Sequence, residues 1–255
     1  MSTGPLLEII DLAKSFDGFF AVDGVDLAVA PSTIHSVIGP NGAGKTTFFR
    51  VLTGVHRASR GAVRFAGEDI TGLRPHLIAR RGLTQSFQIT NVFPRITVLE
   101  SIQIAILARR RRSADFVTMF HRQIAAKTRE LLRRVGLKDE ANSEAQTLSH
   151  GDQRVLEVAL ALAARPRLLL LDEPTAGMSP FETDRMVDLI TALAEADGLT
   201  VLLSEHDMDV VFGVSDHVTV LHQGRVIRHG TPESVEQDER VREVYLGSED
   251  ESRAH

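Results

Sequence analysis

Cysteine is absent from all 255 residues, which removes disulfides, thiolate metal sites and a cysteine nucleophile from consideration. No apolar run approaches the roughly 18 residues that a membrane-spanning helix needs. Met1 to Asp11 lacks the basic and then apolar order of a signal peptide, so a soluble cytoplasmic protein is expected. Positive charge is not in surplus: 29 Lys and Arg stand against 34 Asp and Glu, and the net charge of −5 gives no argument for nucleic-acid binding. The remaining balance, 43% hydrophobic and 25% charged, is ordinary for a globular protein. At this length the chain can bury a good core as one domain, or one domain with an insert.

What is present is organised around Gly39-Pro40-Asn41-Gly42-Ala43-Gly44-Lys45-Thr46-Thr47. Thr33 to Ile38 precedes it and reads as a buried strand; Phe48 to Leu52 follows and reads as the start of a helix. G-x-x-x-x-G-K-[ST] between a strand and a helix is the loop that holds nucleotide phosphates. Its glycines let backbone N–H groups approach phosphate oxygens, and the helix N-terminus adds partial positive charge. Lys45 would reach the β- and γ-phosphates, and the Thr46 hydroxyl would ligate Mg²⁺.

Ahead of this loop, Leu6–Ile10 and Val25–Val29 read as strands of an antiparallel sheet. Phe16, between them, could be a surface aromatic or a core plug, but its place before the phosphate loop raises adenine stacking as a third reading. Gly61 to Gly67 reads as a hairpin strand, Pro75 to Arg81 as a short helix, and Leu83 to Phe87 as a strand ending at Gln88. From Ile89 to about Thr147 the period is helical. Thr97-Val98-Leu99-Glu100 has capping-box form, and apolar positions 98, 99, 102, 105 and 106 mark one face. Arg109 to Arg112 would end that helix, where cations offset the negative end of the macrodipole; a nucleic-acid or lipid-headgroup role is the competing reading. A second helix is expected over about His121 to Val135, closed by Gly136.

Ser149 is by type a helix N-cap for the apolar segment Val155–Ala164. Leu168 to Leu171 is apolar on both faces, as in the interior of a parallel sheet, and ends in Asp172-Glu173. The carboxyl ends of such strands are where open α/β sheets bind ligands. Asp172 is therefore expected to hold Mg²⁺, through water, and Glu173 to orient the attacking water. Thr200–Ser204 is the next buried strand, and His206 follows it at the same edge, within reach of a γ-phosphate. His217–Leu221 and Arg225–Arg228 flank a Gln223-Gly224 hairpin turn, and the acidic tail 248–255 reads as disordered.

Taken in order, these segments resemble the ATP-binding subunit of an ABC transporter from Leu6 to Gly247. The resemblance implies an α/β fold: a P-loop NTPase core with a mostly parallel sheet, an antiparallel β subdomain, and a helical insert over about 89–147. It implies Phe16 as the adenine-stacking aromatic, with Val22 and Gly39 to Thr47 completing the ATP site. Gln88 becomes the Q-loop ligand of Mg²⁺ and, with Lys45, Glu173 and the switch residue His206, part of the catalytic set. Leu148-Ser149-His150-Gly151-Asp152 becomes the signature, which usually reads L-S-G-G-Q; Ser179 stands where the D-loop often has aspartate. The signature would cap ATP held by a second ATPase subunit, identical or homologous, so that two ATPs are sandwiched between two domains.

Several stretches resemble more narrowly the LivG-type ATPases of branched-chain amino acid importers: Ser86-Phe87-Gln88, Phe93-Pro94 with Thr97–Glu100, Leu148–Gln153, Glu173–Met178 and Glu205–Met208. That branch implies two membrane permease subunits, an indirect substrate-binding protein, and a place on the inner face of the cell membrane. Asn91 to Pro94 would wall the groove for a permease helix, although Val92 and Phe93 could equally be core. Urea importers and lipopolysaccharide exporters are related alternatives. A soluble ABC-type ATPase usually carries two such motif sets, coiled-coil arms or metal-binding cysteines, and a small-molecule kinase would lack the signature and switch His.

Overall fold

The computed structural model describes residues 4–86, 95–109 and 117–252. The chain opens with two long strands, β1 (Leu7–Phe16) and β2 (Phe19–Val29), joined through Asp17-Gly18, both at positive φ as a tight hairpin requires. Then come β3 (Ile34–Ile38), α1 (Lys45–Leu52), β4 (Arg60–Phe65), β5 (Glu68–Asp69), α2 (Pro75–Arg81) and β6 (Leu83–Gln85). The helical part contributes α3 (Val98–Arg109), α4 (Val117–Arg134) and the long α5 (His150–Ala163). The remainder alternates: β7 (Leu168–Asp172), α6 (Pro180–Asp197), β8 (Thr200–Ser204), α7 (Met208–Val214), β9 (His217–His222), β10 (Arg225–Gly230), α8 (Pro232–Glu236) and α9 (Glu239–Ser252).

Two sheets result. One is antiparallel and ordered β2-β1-β4-β5; the other is six-stranded, ordered β10-β9-β3-β8-β7-β6, and parallel except for the β9–β10 hairpin. Leu168, Leu169, Leu170 and Leu171 are fully buried in β7, because both faces of the parallel sheet are covered. On one face β7 and β8 meet the antiparallel sheet and α1; on the other, Leu169, Leu171, Val201 and Leu203 pack with α5 and α6. This layering puts the carboxyl ends of β3, β7 and β8 at one edge, where a ligand can meet all three.

The capping box at the start of α3 forms as expected: Glu100 N–H donates to Thr97 Oγ1 (3.2 Å) and Thr97 N–H to Glu100 Oε2 (2.8 Å). Two expectations change. α1 begins at Lys45, three residues before the apolar segment that marked it, because Gly44 takes a left-handed N-cap conformation directly after the loop. α9 runs to Ser252, beyond the point where acidic composition suggested disorder. Its upstream residues Val241 and Tyr245 pack on Ile38, Val211 and Val218, and that anchor lets the polar end continue as helix.

Candidate nucleotide site

The phosphate loop is held in shape by its own backbone and by neighbours distant in sequence. Ala43 N–H donates to Pro40 O (3.1 Å), and Phe48 N–H to Gly44 O (2.8 Å). Gly224 N–H, from the β9–β10 turn, donates to Ala43 O (2.9 Å), while Asp23 N–H in β2 donates to Gly224 O (2.8 Å). A Cβ on Gly44 would lie 2.3 Å from Ala21 O, and one on Gly39 would lie 2.2 Å from Leu221 O. Both glycines are also at positive φ, so neither site admits a side chain. Lys45 is 7% exposed, and its ammonium donates to Gly39 O (2.5 Å) and Pro40 O (3.3 Å). Burial pushes the ammonium below the usual lysine range, opposed by the carboxylates of Glu173, Asp172 and Glu205.

Across the loop, β7 ends beside β8 with Asp172 paired in register to Ser204. Ser204 Oγ donates to Asp172 Oδ1 (2.5 Å), and Glu173 N–H donates to both Ser204 O (3.0 Å) and Ser204 Oγ (3.1 Å). Glu173 itself sits at φ 49, a strained conformation for a side-chain-bearing residue, which the Ser204 contacts hold in place. Thr46, Arg50, Asp172 and Glu173 line one cavity of about 470 Å³, together with Ser86 and Arg154. Glu205 is fully buried and accepts from the Thr175 N–H (2.9 Å) and hydroxyl (2.7 Å), tying the loop after Glu173 to the end of β8. The exposed His206 follows, its Nδ1 3.9 Å from Glu205 Oε2.

The signature residues lie elsewhere. Ser149 caps α5 by accepting from Asp152 N–H (3.0 Å), and Ser149 and His150 are exposed, outside the cavity of Asp172 and Glu173. Gly151 N–H donates to Glu182 Oε1 (3.2 Å), and Glu182 in turn accepts from the Ser179 N–H (3.0 Å) and hydroxyl (2.8 Å) in a full capping box of α6. Ser179, in place of the more usual aspartate, thus caps a helix. A Cβ at Gly177 would lie 3.4 Å from the His150 ring, so His150 occupies space against the same loop.

Of the proposed adenine contacts, Phe16 is surface-exposed and not a core plug: its ring meets His56 edge-on at 5.3 Å, with Lys14 Nζ 4.6 Å from its centroid. Val22 is a correction. It is fully buried in the core beneath the loop, because β2 turns that side chain inward, and it offers no side-chain surface to a nucleotide. Gln88, Asn91 to Pro94 and Arg110 to Arg112 fall outside the described residues. Sequence reasoning missed Ser204, Glu205, Glu182 and Gly224. Each acts through a partner about thirty or more residues away, and the one visible signal was the polar Ser204-Glu205 step at the end of an apolar strand.

Residues 22–176 match the family profile described as ABC transporter, more than half the chain. The chain belongs to the ABC transporter family. It is the ATP-binding, ATP-hydrolysing subunit of such a system. A second profile, branched-chain amino acid ATP-binding cassette transporter, matches residues 225–251. The cassette is 41% identical over 252 residues to the high-affinity branched-chain amino acid transport ATP-binding protein BraF of Pseudomonas aeruginosa, covering 95% of this chain and 98% of that one. It is 38% identical over 250 residues to the corresponding LivG protein of Escherichia coli, with the same coverage. The lipopolysaccharide export system ATP-binding protein LptB of Haemophilus influenzae is 36% identical over 244 residues, covering 96% and 98%. Among solved structures, the ADP conformation of an ATP-binding cassette of an ABC transporter superposes with TM-score 0.85 at 30% identity, covering 96% of this chain and all of that one. Among the described residues of the cassette, no helix is long and apolar enough to cross a membrane.

Proposed function

We propose that this cassette powers uptake of branched-chain or related amino acids through separate permease subunits, from the inner face of the cell membrane. Residues 6–247 serve as one ATP-binding domain, with residues 89–147 as its helical insert. The observation that carries the catalytic reading is the shared cavity of Thr46, Asp172 and Glu173 beside the buried Lys45. Lys45 neutralises β- and γ-phosphate charge, and its displacement from the Gly39 and Pro40 carbonyls is the local exchange that phosphate binding drives. Glu173 orients the attacking water; His206 and Gln88 complete the set around the γ-phosphate, and Phe16 offers its ring to adenine.

Mg²⁺ fits the residues present. It keeps several waters and draws ligands from phosphates, so it needs only one or two protein oxygens: the Thr46 hydroxyl, with Gln88, would hold it directly, and the Asp172 carboxylate of the same cavity through a water. The ion would supply charge neutralisation on the transferring phosphoryl group.

Because Ser149 is exposed and outside the cavity, the signature serves a nucleotide held by a second ATPase subunit, identical or homologous. The C-terminal profile favours amino acids over lipopolysaccharide as the cargo. The test is ATP hydrolysis by the chain alone, then with co-purified permeases, then with an amino-acid-loaded binding protein. Stimulation by leucine-loaded binding protein is expected. Stimulation by permeases without amino-acid dependence would overturn the cargo, and vigorous hydrolysis that permeases leave unchanged would overturn the importer reading. Glu173→Gln should keep ATP binding, lower turnover by about 10²–10⁴ and accumulate an ATP-bound dimer on size exclusion.

A further inference from the structure

Arg154 and Glu157 sit on α5 one turn apart, and the sandwich reading above gives neither a task. Both line the cavity that holds Thr46, Asp172 and Glu173. Their side chains are 15% and 8% exposed, and Arg154 Nη1 donates to Glu157 Oε2 at 3.1 Å. Arg154 Nε–H is buried without a hydrogen-bond partner among the described residues. A buried guanidinium N–H left unspent is unfavourable, and such groups persist where function uses them.

The position on the helix sets what the pair can do. Five residues separate Ser149 from Arg154, which at about 100° per residue turns Arg154 roughly 140° away from the signature face. One rigid helix therefore presents Ser149 outward and Arg154 inward to this chain's own cavity. On the other flank, the start of α5 is tied through Gly151 N–H and Glu182 to Ser179, in the loop that follows Glu173.

We propose that Arg154 couples the two half-sites: its free Nε–H engages an oxygen that enters this chain's cavity with the nucleotide, and the Glu157 pair passes that engagement through α5 to the signature facing the partner's nucleotide. The oxygen belongs to the terminal phosphate or to a water on it. Arg154 thus lets occupancy of one site set the signature offered to the other. This rests on the sandwich reading of the signature.

The test replaces both charges, Arg154→Met with Glu157→Gln, so that neither is left buried alone. It is read on the transporter assembled with its permeases, beside Ser149→Ala as control. The double variant should melt close to wild type and bind MgATP within about threefold. It should hydrolyse ATP about ten- to a hundredfold more slowly, with the Hill coefficient for ATP falling toward one. Arg154→Lys, which keeps the charge but not the Nε–H, should likewise melt close to wild type and still lose the cooperativity. Wild-type rate and cooperativity in the double variant, with Ser149→Ala impaired, would overturn the coupling role alone. If Ser149→Ala also turns over normally, the sandwich reading falls with it.

Discussion

At the scale of single residues, the chemistry depends on groups that carry none of it. Asp172 and Glu173 are the acids a reader of the sequence picks, because they end an apolar strand. Ser204 is not, because it arrives from another strand, and only the parallel register of β7 on β8 sets it opposite Asp172. Its hydroxyl holds the Asp172 carboxylate and supports the Glu173 N–H, and with them the strained φ of 49 at Glu173. Ser204→Ala removes one hydrogen bond to a charged group, worth about 1.5–3 kcal/mol, and leaves room for Glu173 to relax. Turnover should drop by about ten- to a hundredfold. MgATP affinity should change less, since Lys45 and the loop backbone are untouched. Steady-state kinetics beside nucleotide titration separate the two quantities, and an equal loss in both would count against Ser204 as a support for the acids.

At the scale of elements, the joint between α5 and α6 governs how the signature is presented. Gly151 is in the first turn of α5 with ordinary helical φ, so its glycine is needed for space and not for backbone freedom. A Cβ there would lie 2.5 Å from Glu182 Oε1. Gly151→Ala must therefore displace Glu182, which receives the Ser179 N–H and hydroxyl, and so opens the cap of α6. Losing a cap costs about 1 kcal/mol, a melting shift of only a few degrees in a domain this size. Hydrolysis by the assembled transporter should suffer far more than the melting temperature, because the signature helix loses its tie to the loop after Glu173. A variant with full turnover would show that this joint is only structural.

The same scale shows what the sequence could express. Local signals placed nearly every strand and most helices: the 75–81 helix, the Thr97–Glu100 capping box, and the hairpin turn at Gln223-Gly224, whose residues both take positive φ. The short α7 and α8 were not legible, because each is capped by a single residue, Asp207 or Thr231, and is held by packing against β9 and α9. Nor could the Gly224 contact to the phosphate loop be read. It joins residues about 180 apart and is made by backbone atoms that every sequence shares.

At the scale of the whole molecule, the far end of the parallel sheet holds a feature unrelated to the nucleotide. His35 on β3, His217 on β9 and His229 on β10 stack across three adjacent strands, with ring centroids 5.4–6.0 Å apart. His35 is fully buried; its Nε2 and the Nδ1 of His229 both meet Thr219 Oγ1, at 2.8 and 3.0 Å. The threonine has one proton to donate, so a neutral His35–His229 pair fits best: one ring donates to it and the other accepts from it. Burial, with His229 and His217 beside it, lowers the His35 pKa to about 3, and burial also holds His229 below the usual histidine range. A folded pKa below the unfolded value of about 6.5 means that the unfolded chain takes up the proton first on acidification. The stability this contributes is complete above about pH 6.5 and is lost progressively as pH falls toward 3. By pH 5 the loss attributable to His35 should be about 2 kcal/mol. Urea unfolding at pH 7.5 and pH 5 should therefore show a smaller pH-dependent loss for His35→Gln than for the wild-type chain, whatever the variant's baseline stability. Equal losses would mean that carboxylates elsewhere, and not the buried imidazole, set the acid limit of the fold.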